Sequence, residues 1–256
     1  MEVNLTKSAA LALFICGALA FTACSKKDDD PVTKPEETRT VEFNKLTRVE
    51  NFSVNANLMG GTAGDPVFFS LETQKQIPAE QKNTKNWDLA FANILNSFVS
   101  GNNGADKKNY GYGNKATGGV LIVEKPFEEV TNVPEASKFL TGKDVYGTDP
   151  AGDLSDGNLP GWYLYDFDGT IIGNGSAAKT HIAYALGNQI ELSNGNPAPV
   201  RTLLVRTAKG NFAKIRMISV YKNQFLWTDW KKDSEKTYLT FEYVLVPAGS
   251  TKFELK

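Results

Sequence analysis

Histidine and cysteine are almost missing from this sequence, whose 256 residues include one histidine, His181, and two cysteines, Cys16 and Cys24. A zinc site built from these side chains needs three or four of them, so the composition excludes such a site in a single chain. Hydrolases of the triad type place a nucleophile beside a base, and no serine here lies in a Gly-x-Ser-x-Gly pattern. We therefore predict a protein that is not an enzyme.

A charge excess of either sign is missing too. The 28 lysine and arginine residues oppose 29 aspartate and glutamate residues, which leaves a net charge of -1. Proteins that bind nucleic acid usually carry a basic surface, so we predict no nucleic-acid partner. After the first segment of the chain, no apolar run approaches the about 20 residues of a membrane-spanning helix. Any membrane attachment must therefore be made by other means.

The first residues are typical of an exported lipoprotein. Lys7 supplies a short basic start, and the apolar stretch from Ala9 to Ala20 is short for a membrane span, which favours a cleaved signal. The run Phe21-Thr22-Ala23-Cys24 resembles the lipobox of bacterial lipoproteins. An ordinary secretory cleavage site is the alternative. Since Cys24 is the only cysteine left after cleavage, we predict that residues 1–23 are a signal peptide and that Cys24 is lipidated.

Residues 24–38 connect the predicted lipid to the rest of the chain. The segment contains Pro31 and Pro35 and no aromatic residue, so it cannot bury enough apolar area to order itself. Its start, from Ser25 to Asp30, resembles the Lys/Asp-rich signal that directs Bacteroidota lipoproteins to the outer face of the outer membrane. We therefore predict a disordered tether and a lipid anchor in the outer membrane, with the protein facing the cell exterior.

Residues 39–256 are predicted to form one domain of antiparallel β-strands. Apolar and polar residues alternate with period 2, as half-buried strands require, and the stretch from Leu239 to Leu245 is the clearest example. The composition of Lys209-Gly210-Asn211 is typical of a tight turn. It predicts a hairpin between Leu203–Thr207 and Phe212–Tyr221.

Helical signals are scarce in the same region. The best is Glu135–Leu140, which follows Pro134 and extends for two turns at most. Two long loops, Gly101–Gly119 and Gly142–Gly161, have no periodicity of their own. Loops of this length often carry functional residues. We therefore predict an all-β fold with function in or beside its loops.

The candidate metal ligands are few. Asp166-Phe167-Asp168-Gly169 resembles the start of a calcium loop but lacks the later acidic ligands. Asp149, Asp153 and Asp156 have a similar potential in a glycine-rich loop. Aspartates that cap turns are much commoner, so we predict no metal site from either group. His181 opens a strand-like segment, and it is the candidate if the ligand is a haem, whose iron needs an axial donor.

Several stretches resemble the HmuY family of haem-binding surface lipoproteins. Together with the lipoprotein start, they run through nearly the whole chain in the family's order. The most specific is Arg201 to Tyr221, with Val205-Arg206-Thr207-Ala208-Lys209-Gly210-Asn211-Phe212-Ala213-Lys214-Ile215 at its centre. The others are Asn86-Trp87-Asp88-Leu89-Ala90-Phe91 with the loop that ends at Gly118-Gly119, then Gly161-Trp162-Tyr163-Leu164-Tyr165, and Tyr238-Leu239-Thr240-Phe241-Glu242-Tyr243.

This resemblance implies both a fold and a function. It implies a single, predominantly antiparallel β domain of the HmuY type that captures haem at the cell surface and passes it to a TonB-dependent outer-membrane transporter. Members hold haem between two loops, with the iron bound from both faces by a pair of histidines or of methionines. After its predicted signal, this chain offers only His181, Met59 and Met217, and its loop 142–161 contains neither residue type.

Three interpretations of the site stay open. His181 could bind the iron alone, with water or a tyrosine such as Tyr146 or Tyr184 opposite. Haem could instead be held by apolar and aromatic contacts, or the fold serves a different ligand. In that last case the protein is a surface lipoprotein that binds a glycan, a peptide or a protein partner. Because flat rings suit the face of a porphyrin, the predicted haem-pocket residues are Tyr146, Tyr163, Tyr165, Phe167 and Tyr184.

Overall fold

The computed structural model describes residues 40–54, 63–149 and 159–256, and these ranges contain β-strands, short 3-10 helices and loops. The predicted signal peptide, Cys24 and the tether lie outside the described residues. All described residues belong to one compact unit, Thr38–Lys256. In chain order the strands are β1 (Leu46–Ser53), β2 (Ala63–Ser70), β3 (Lys75–Ile77), β4 (Leu89–Ile94), β5 (Phe98–Gly101), β6 (Gly119–Val123), β7 (Thr148–Asp149), β8 (Tyr163–Asp166), β9 (Ile182–Ala185), β10 (Thr202–Arg206), β11 (Phe212–Tyr221) and β12 (Lys236–Val246).

The largest sheet has the strand order β1-β12-β11-β10-β6, and every neighbouring pair in it is antiparallel. The predicted hairpin is confirmed, since β10 and β11 pair from Arg206 opposite Phe212 to Leu203 opposite Ile215. Its turn requires a glycine, because Gly210 has a φ of 90° that other residues adopt at a cost. The turn therefore sets the register of the central strands.

The alternation along β12 places side chains in two separate clusters. On the opposite face from the main core, Val244 and Val246 pack with Phe127 and Phe212. Because both faces of the sheet are covered, this strand is buried along most of its length. The β12 side chains that face the main core are the four of the predicted apolar stretch: Leu239, Phe241, Tyr243 and Leu245.

A second sheet, with the order β3-β2-β4-β5, is also antiparallel. Aromatic rings join it to the largest sheet. Phe69 meets Phe241 edge to face with 5.6 Å between the ring centroids, and Phe52 lies 4.8 Å from Phe69. Such pairs stabilise a fold by about 0.5–1.5 kcal/mol beyond their burial. The main hydrophobic core therefore lies between these two sheets.

The third sheet has the order β7-β8-β9 and positions the candidate site. Strands β7 and β8 are parallel, and β8 and β9 are antiparallel. The chain after β9 is attached to the largest sheet, because the backbone N–H of Gly187 donates to the carbonyl of Met217 over 3.1 Å. All other strand pairs among the described residues are antiparallel, so the predicted fold class is confirmed.

The predicted helix at Glu135–Leu140 is wrong. A single 3-10 turn covers Ala136–Lys138, and Leu140 then exchanges backbone hydrogen bonds of 2.8 and 2.9 Å with Val120. This bridge to β6 extends the chain before a second helical turn can form. The other 3-10 turns are Ala79–Gln81, Phe127–Glu129, Ala177–Lys179 and Trp227–Asp229. Within the described ranges, we find no helix with the length and apolar character needed to cross a bilayer.

Candidate functional site

A mostly apolar pocket of about 320 Å³ opens beside the third sheet. Four separate parts of the chain form it: the turn between β4 and β5, strands β7 and β8 with their flanking residues, strand β9, and the facing ends of β11 and β12. The lining residues are Ile94, Leu95, Ser97, Phe98, Thr148, Trp162, Tyr163, Tyr165, Ala183, Val220, Lys236 and Thr237.

Hydrogen bonds to Ser97 fix the aromatic wall of this pocket. The indole Nε1 of Trp162 donates to the carbonyl of Ser97 over 2.7 Å. The hydroxyl of Ser97 donates to the carbonyl of Ile94 over 2.6 Å, so it accepts the hydroxyl proton of Tyr163 over 2.9 Å. The rings of Trp162 and Tyr163 stand edge to face, 4.7 Å apart. The wall is therefore rigid before any ligand arrives.

Tyr165 links the pocket to the only histidine of the chain. It lines the pocket, and its hydroxyl lies 3.1 Å from Nδ1 of His181. The ring of Phe167 stands edge to face against the imidazole at 4.4 Å, and the backbone N–H of His181 donates to the carbonyl of Phe167 over 3.1 Å. His181 has a φ of 58°, in the left-handed region that histidine enters more readily than most residues. These contacts fix the imidazole behind Tyr165.

Lys236 contributes the only positive charge among the described lining residues. Its Nζ donates to the carbonyl of Lys232 over 3.0 Å and lies 5.6 Å from the centre of the Tyr221 ring. Burial lowers the pKa of this ammonium group. Since an ammonium has three donors, two remain for a carboxylate on a ligand.

Asp166 fixes the conformation of the loop that begins at Phe167 and leads to His181. The Asp166 carboxylate is fully buried. Burial works to raise its pKa, but the donated backbone N–H groups outweigh burial and hold the pKa below its usual range. The loop amides bond to both oxygens, so this carboxylate caps the turn. The donating N–H groups, at 2.9–3.2 Å, belong to Thr170, Ile171, Ile172 and Gly173.

The predicted site residues separate into two groups in the structure. Tyr163 and Tyr165 line the pocket, and His181 lies directly behind Tyr165. Tyr146 and Tyr184 lie in the main hydrophobic core, outside the pocket lining, and burial raises the pKa of Tyr184 to about 12. Phe167 is 60% exposed and contacts the histidine rather than the pocket. Cys24 lies outside the described residues.

Met217, one of the two methionines left after the predicted signal, does not line this pocket. Met217 is buried in the main core on β11, and Met59 lies outside the described residues. Asp149 pairs with buried Arg201 over 2.8 Å through its Oδ2 oxygen. No group of three or more potential metal-ligating side chains occurs in the described part of the chain.

Several pocket residues were missed from the sequence. Ser97 lies in a short turn and Lys236 begins β12, about 140 positions later. Neither has a local signal, because the sheets alone bring them together. Trp162 was named only in the stretch from Gly161 to Tyr165 that resembles the family, and it was not predicted to line a pocket. Its position beside Tyr163 in an aromatic run was the one available clue.

The comparisons with known proteins identify the family. A family model described as "HmuY protein" matches residues 64–243. The chain belongs to the HmuY family. The match covers all three sheets apart from β1, the first residue of β2 and the last three residues of β12. No curated protein sequence matches this HmuY-family chain.

Two solved structures are similar to this chain at low identity. Apo PinO from Porphyromonas gingivitis is 13% identical, with 80% of this chain and 99% of that chain covered and a TM-score of 0.39. The apo HmuY analog TFO from Tannerella forsythia is also 13% identical, with 81% and 98% covered and a TM-score of 0.33.

Two of the stretches that resemble HmuY contact each other in the fold. Asp88, between Trp87 and β4, accepts the backbone N–H of Leu71 over 2.8 Å and that of Ala208, in the β10–β11 turn, over 3.0 Å. The side chain is buried, and burial raises its pKa to about 6 even though the N–H of Ala208 opposes this. Asp88 therefore joins the second sheet to the hairpin of the largest sheet.

This buried carboxyl predicts a pH-dependent stability. An aspartate in the unfolded chain loses its proton near pH 4, whereas folded Asp88 keeps it until about pH 6. Its contribution is therefore complete below about pH 4 and declines as the pH rises through about 6, by about 3 kcal/mol in total. Asp88→Asn should remove this part of the pH dependence. Urea unfolding of both proteins from pH 4 to 7 measures it, and parallel stability curves would contradict the assignment.

Proposed function

We propose that this HmuY-family chain is a lipid-anchored outer-membrane protein that binds haem at the cell surface and passes it to a TonB-dependent transporter. The observation that carries the proposal is the apolar, aromatic-walled pocket with Tyr165 and His181 at one side. In this proposal residues 1–23 are the signal peptide, residues 24–38 are the tether with its lipid on Cys24, and residues 39–256 are the haem-binding domain.

The chemistry of the pocket suits a porphyrin in three respects. The rigid rings of Trp162 and Tyr163 offer apolar surface to a flat macrocycle. The Tyr165–His181 pair supplies oxygen and nitrogen donors, which iron accepts. Lys236 supplies a cation for a carboxylate of the ligand. The volume of the pocket lies at the low end of the roughly 300–1,000 Å³ of small-molecule sites. Part of a bound porphyrin would therefore stay outside the pocket.

The remaining predicted residues support the pocket from behind. Tyr184 packs against Trp230 with 5.6 Å between ring centroids, beneath β9. Tyr146 accepts and donates backbone hydrogen bonds with Val99 on β5, next to the turn that contains Ser97. Phe167 holds the imidazole of His181. In this proposal they fix the pocket walls and make no direct contact with the iron.

A titration with hemin tests the proposal. The protein is the chain from residue 25 to 256, which includes the whole compact unit. We expect a shifted Soret band that saturates at one hemin per chain. Ala183 lines the pocket, so Ala183→Leu should fill apolar space that the ligand needs and weaken binding by about tenfold, or 1.4 kcal/mol.

Ala105→Leu is the matched control, because Ala105 is exposed in the loop between β5 and β6, away from the pocket. It should bind hemin as the parent does. Absence of any saturable change in the parent chain would overturn the haem proposal. It would favour the alternative of a surface lipoprotein whose ligand is a glycan, a peptide or a protein partner.

A further inference from the structure

We propose that Tyr165 is the iron ligand of this site, through its phenolate oxygen, and that His181 is a positioning residue that accepts the phenol proton. This inference rests on the proposed haem function and assigns its ligand. It departs from the paired histidines or methionines that the family resemblance implies. An axial oxygen ligand would also give the site a preference for ferric over ferrous iron.

The first argument is position. Among the described residues, Tyr165 is the only one that both lines the pocket and contacts the histidine. His181 itself does not line the pocket, so the tyrosine stands between the imidazole and the ligand space. The donor available to an iron centre in this pocket is therefore an oxygen atom, with a nitrogen atom behind it.

The second argument is that the hydroxyl of the other pocket tyrosine, Tyr163, already has a hydrogen-bond partner. Tyr163 also lines the pocket, but it donates its hydroxyl proton to Ser97, whose own proton goes to the carbonyl of Ile94. That chain of hydrogen bonds ends at a carbonyl, which cannot take up a proton at neutral pH. Tyr165 differs because its partner is an imidazole nitrogen, the strongest neutral base among protein side chains near neutral pH.

The proton balance of the ligation follows from this contact. With the imidazole hydrogen on Nε2, Nδ1 accepts the hydroxyl proton of Tyr165. If Tyr165 were to bind a ferric iron through its phenolate oxygen, its hydroxyl proton would have to leave, and Nδ1 of His181, 3.1 Å away, is the atom placed to accept it. The imidazolium then donates a hydrogen bond to the phenolate.

The third argument is the fixed orientation of the imidazole. The ring is held by Phe167 at 4.4 Å, and its backbone N–H is held by the carbonyl of the same residue. Its left-handed backbone, with φ at 58°, keeps the ring on the side of β8 that carries Tyr165. A base that is fixed in this way requires no rearrangement to accept a proton.

The test compares three variants of the residue 25–256 chain. Tyr165→Phe removes the ligand oxygen, and Tyr112→Phe makes the same change at a half-exposed tyrosine outside the pocket lining as the matched control. His181→Asn removes the base, since asparagine tolerates a positive φ. Each is titrated with ferric hemin and with metal-free protoporphyrin IX. The visible charge-transfer band from phenolate to iron reports the bond directly.

We expect the band in the parent chain and in Tyr112→Phe, and its loss in Tyr165→Phe together with a loss of at least about tenfold in hemin affinity. Metal-free protoporphyrin should bind the parent and Tyr165→Phe equally, because it makes no axial bond. His181→Asn should keep the band at a longer wavelength, since the phenolate loses a hydrogen bond, and bind hemin about tenfold more weakly.

Each other result has a definite meaning. An unchanged hemin spectrum in Tyr165→Phe overturns the ligand assignment but leaves haem binding intact. A nitrogen-ligated spectrum that persists in Tyr165→Phe and disappears in His181→Asn also overturns it and makes His181 the ligand. No saturable hemin binding by the parent chain overturns both this inference and the proposed function.

Discussion

Asp166→Ala is expected to destabilise the domain by about 3–5 kcal/mol. The substitution leaves four backbone N–H groups without an acceptor, and those of Ile172 and Gly173 are buried. An unsatisfied buried donor costs about 1–3 kcal/mol, and the loop that loses its acceptor relaxes only in part, because Ile172 is packed in the main core. Urea unfolding at pH 7 measures the loss.

The same aspartate-rich turn supplies the control for this prediction. Asp168 is two residues away and exposed, so Asp168→Ala should change the free energy of unfolding by no more than about 0.5 kcal/mol. Equal effects of the two substitutions would show that the backbone N–H groups bonded to Asp166 contribute little to the stability of the domain. Because Asp166 joins Tyr165 to Phe167, its loss should also weaken hemin binding in any molecules that remain folded.

Arg201→Met is expected to cost about 3–5 kcal/mol, because it removes one half of a buried ion pair. The side chains of Arg201 and Asp149 are 3% and 1% exposed, with 2.8 Å between Nη2 and Oδ2. Burial raises the pKa of Asp149, and the guanidinium opposes this rise. Without Arg201, Asp149 is left buried without its counter-charge. Thermal or urea unfolding measures the cost.

Two further variants separate the ion pair from simple loss of packing. In Arg201→Met with Asp149→Leu, both charges are gone, so most of the stability should return. Lys45→Met is the surface comparison, since Lys45 pairs with Glu42 and both side chains are mostly exposed, and it should change the free energy of unfolding far less than Arg201→Met does. A double variant no more stable than Arg201→Met alone would show that the arginine acts through its packing.

The strands could be predicted from the sequence because each of them buries one or both faces. The alternation from Leu239 to Leu245 gave β12, and turn residues around Gly210 gave the hairpin. The strand order could not be predicted in this way, because periodicity tells which side chains share a face but not which strands pair. The helix at Glu135–Leu140 was wrong for the same reason, since its local pattern was overridden by a bridge to Val120.

The candidate site was predicted in part. Tyr163 and Tyr165 share one face of β8, and both line the pocket. Tyr184 is not a pocket residue, and the register of β8 with β9 gives the reason. Tyr184 lies opposite Leu164 and faces the core, whereas its neighbour Ala183 lies opposite the pocket residue Tyr165. Aromatic character alone does not separate a core ring from a pocket ring. The hydrogen bond between Tyr165 and His181 crosses two strands and needs the structure.

The pairing of the first described strand with the last has a consequence for the order of folding. β1 forms its hydrogen bonds with β12, nearly 200 positions later, and β12 is also the partner of β11. The largest sheet therefore cannot close until β12 is present, so a chain still being synthesised lacks the complete largest sheet. Such a topology favours slow folding after release, and until then the unpaired edges of β1 and β11 are open to association with other chains.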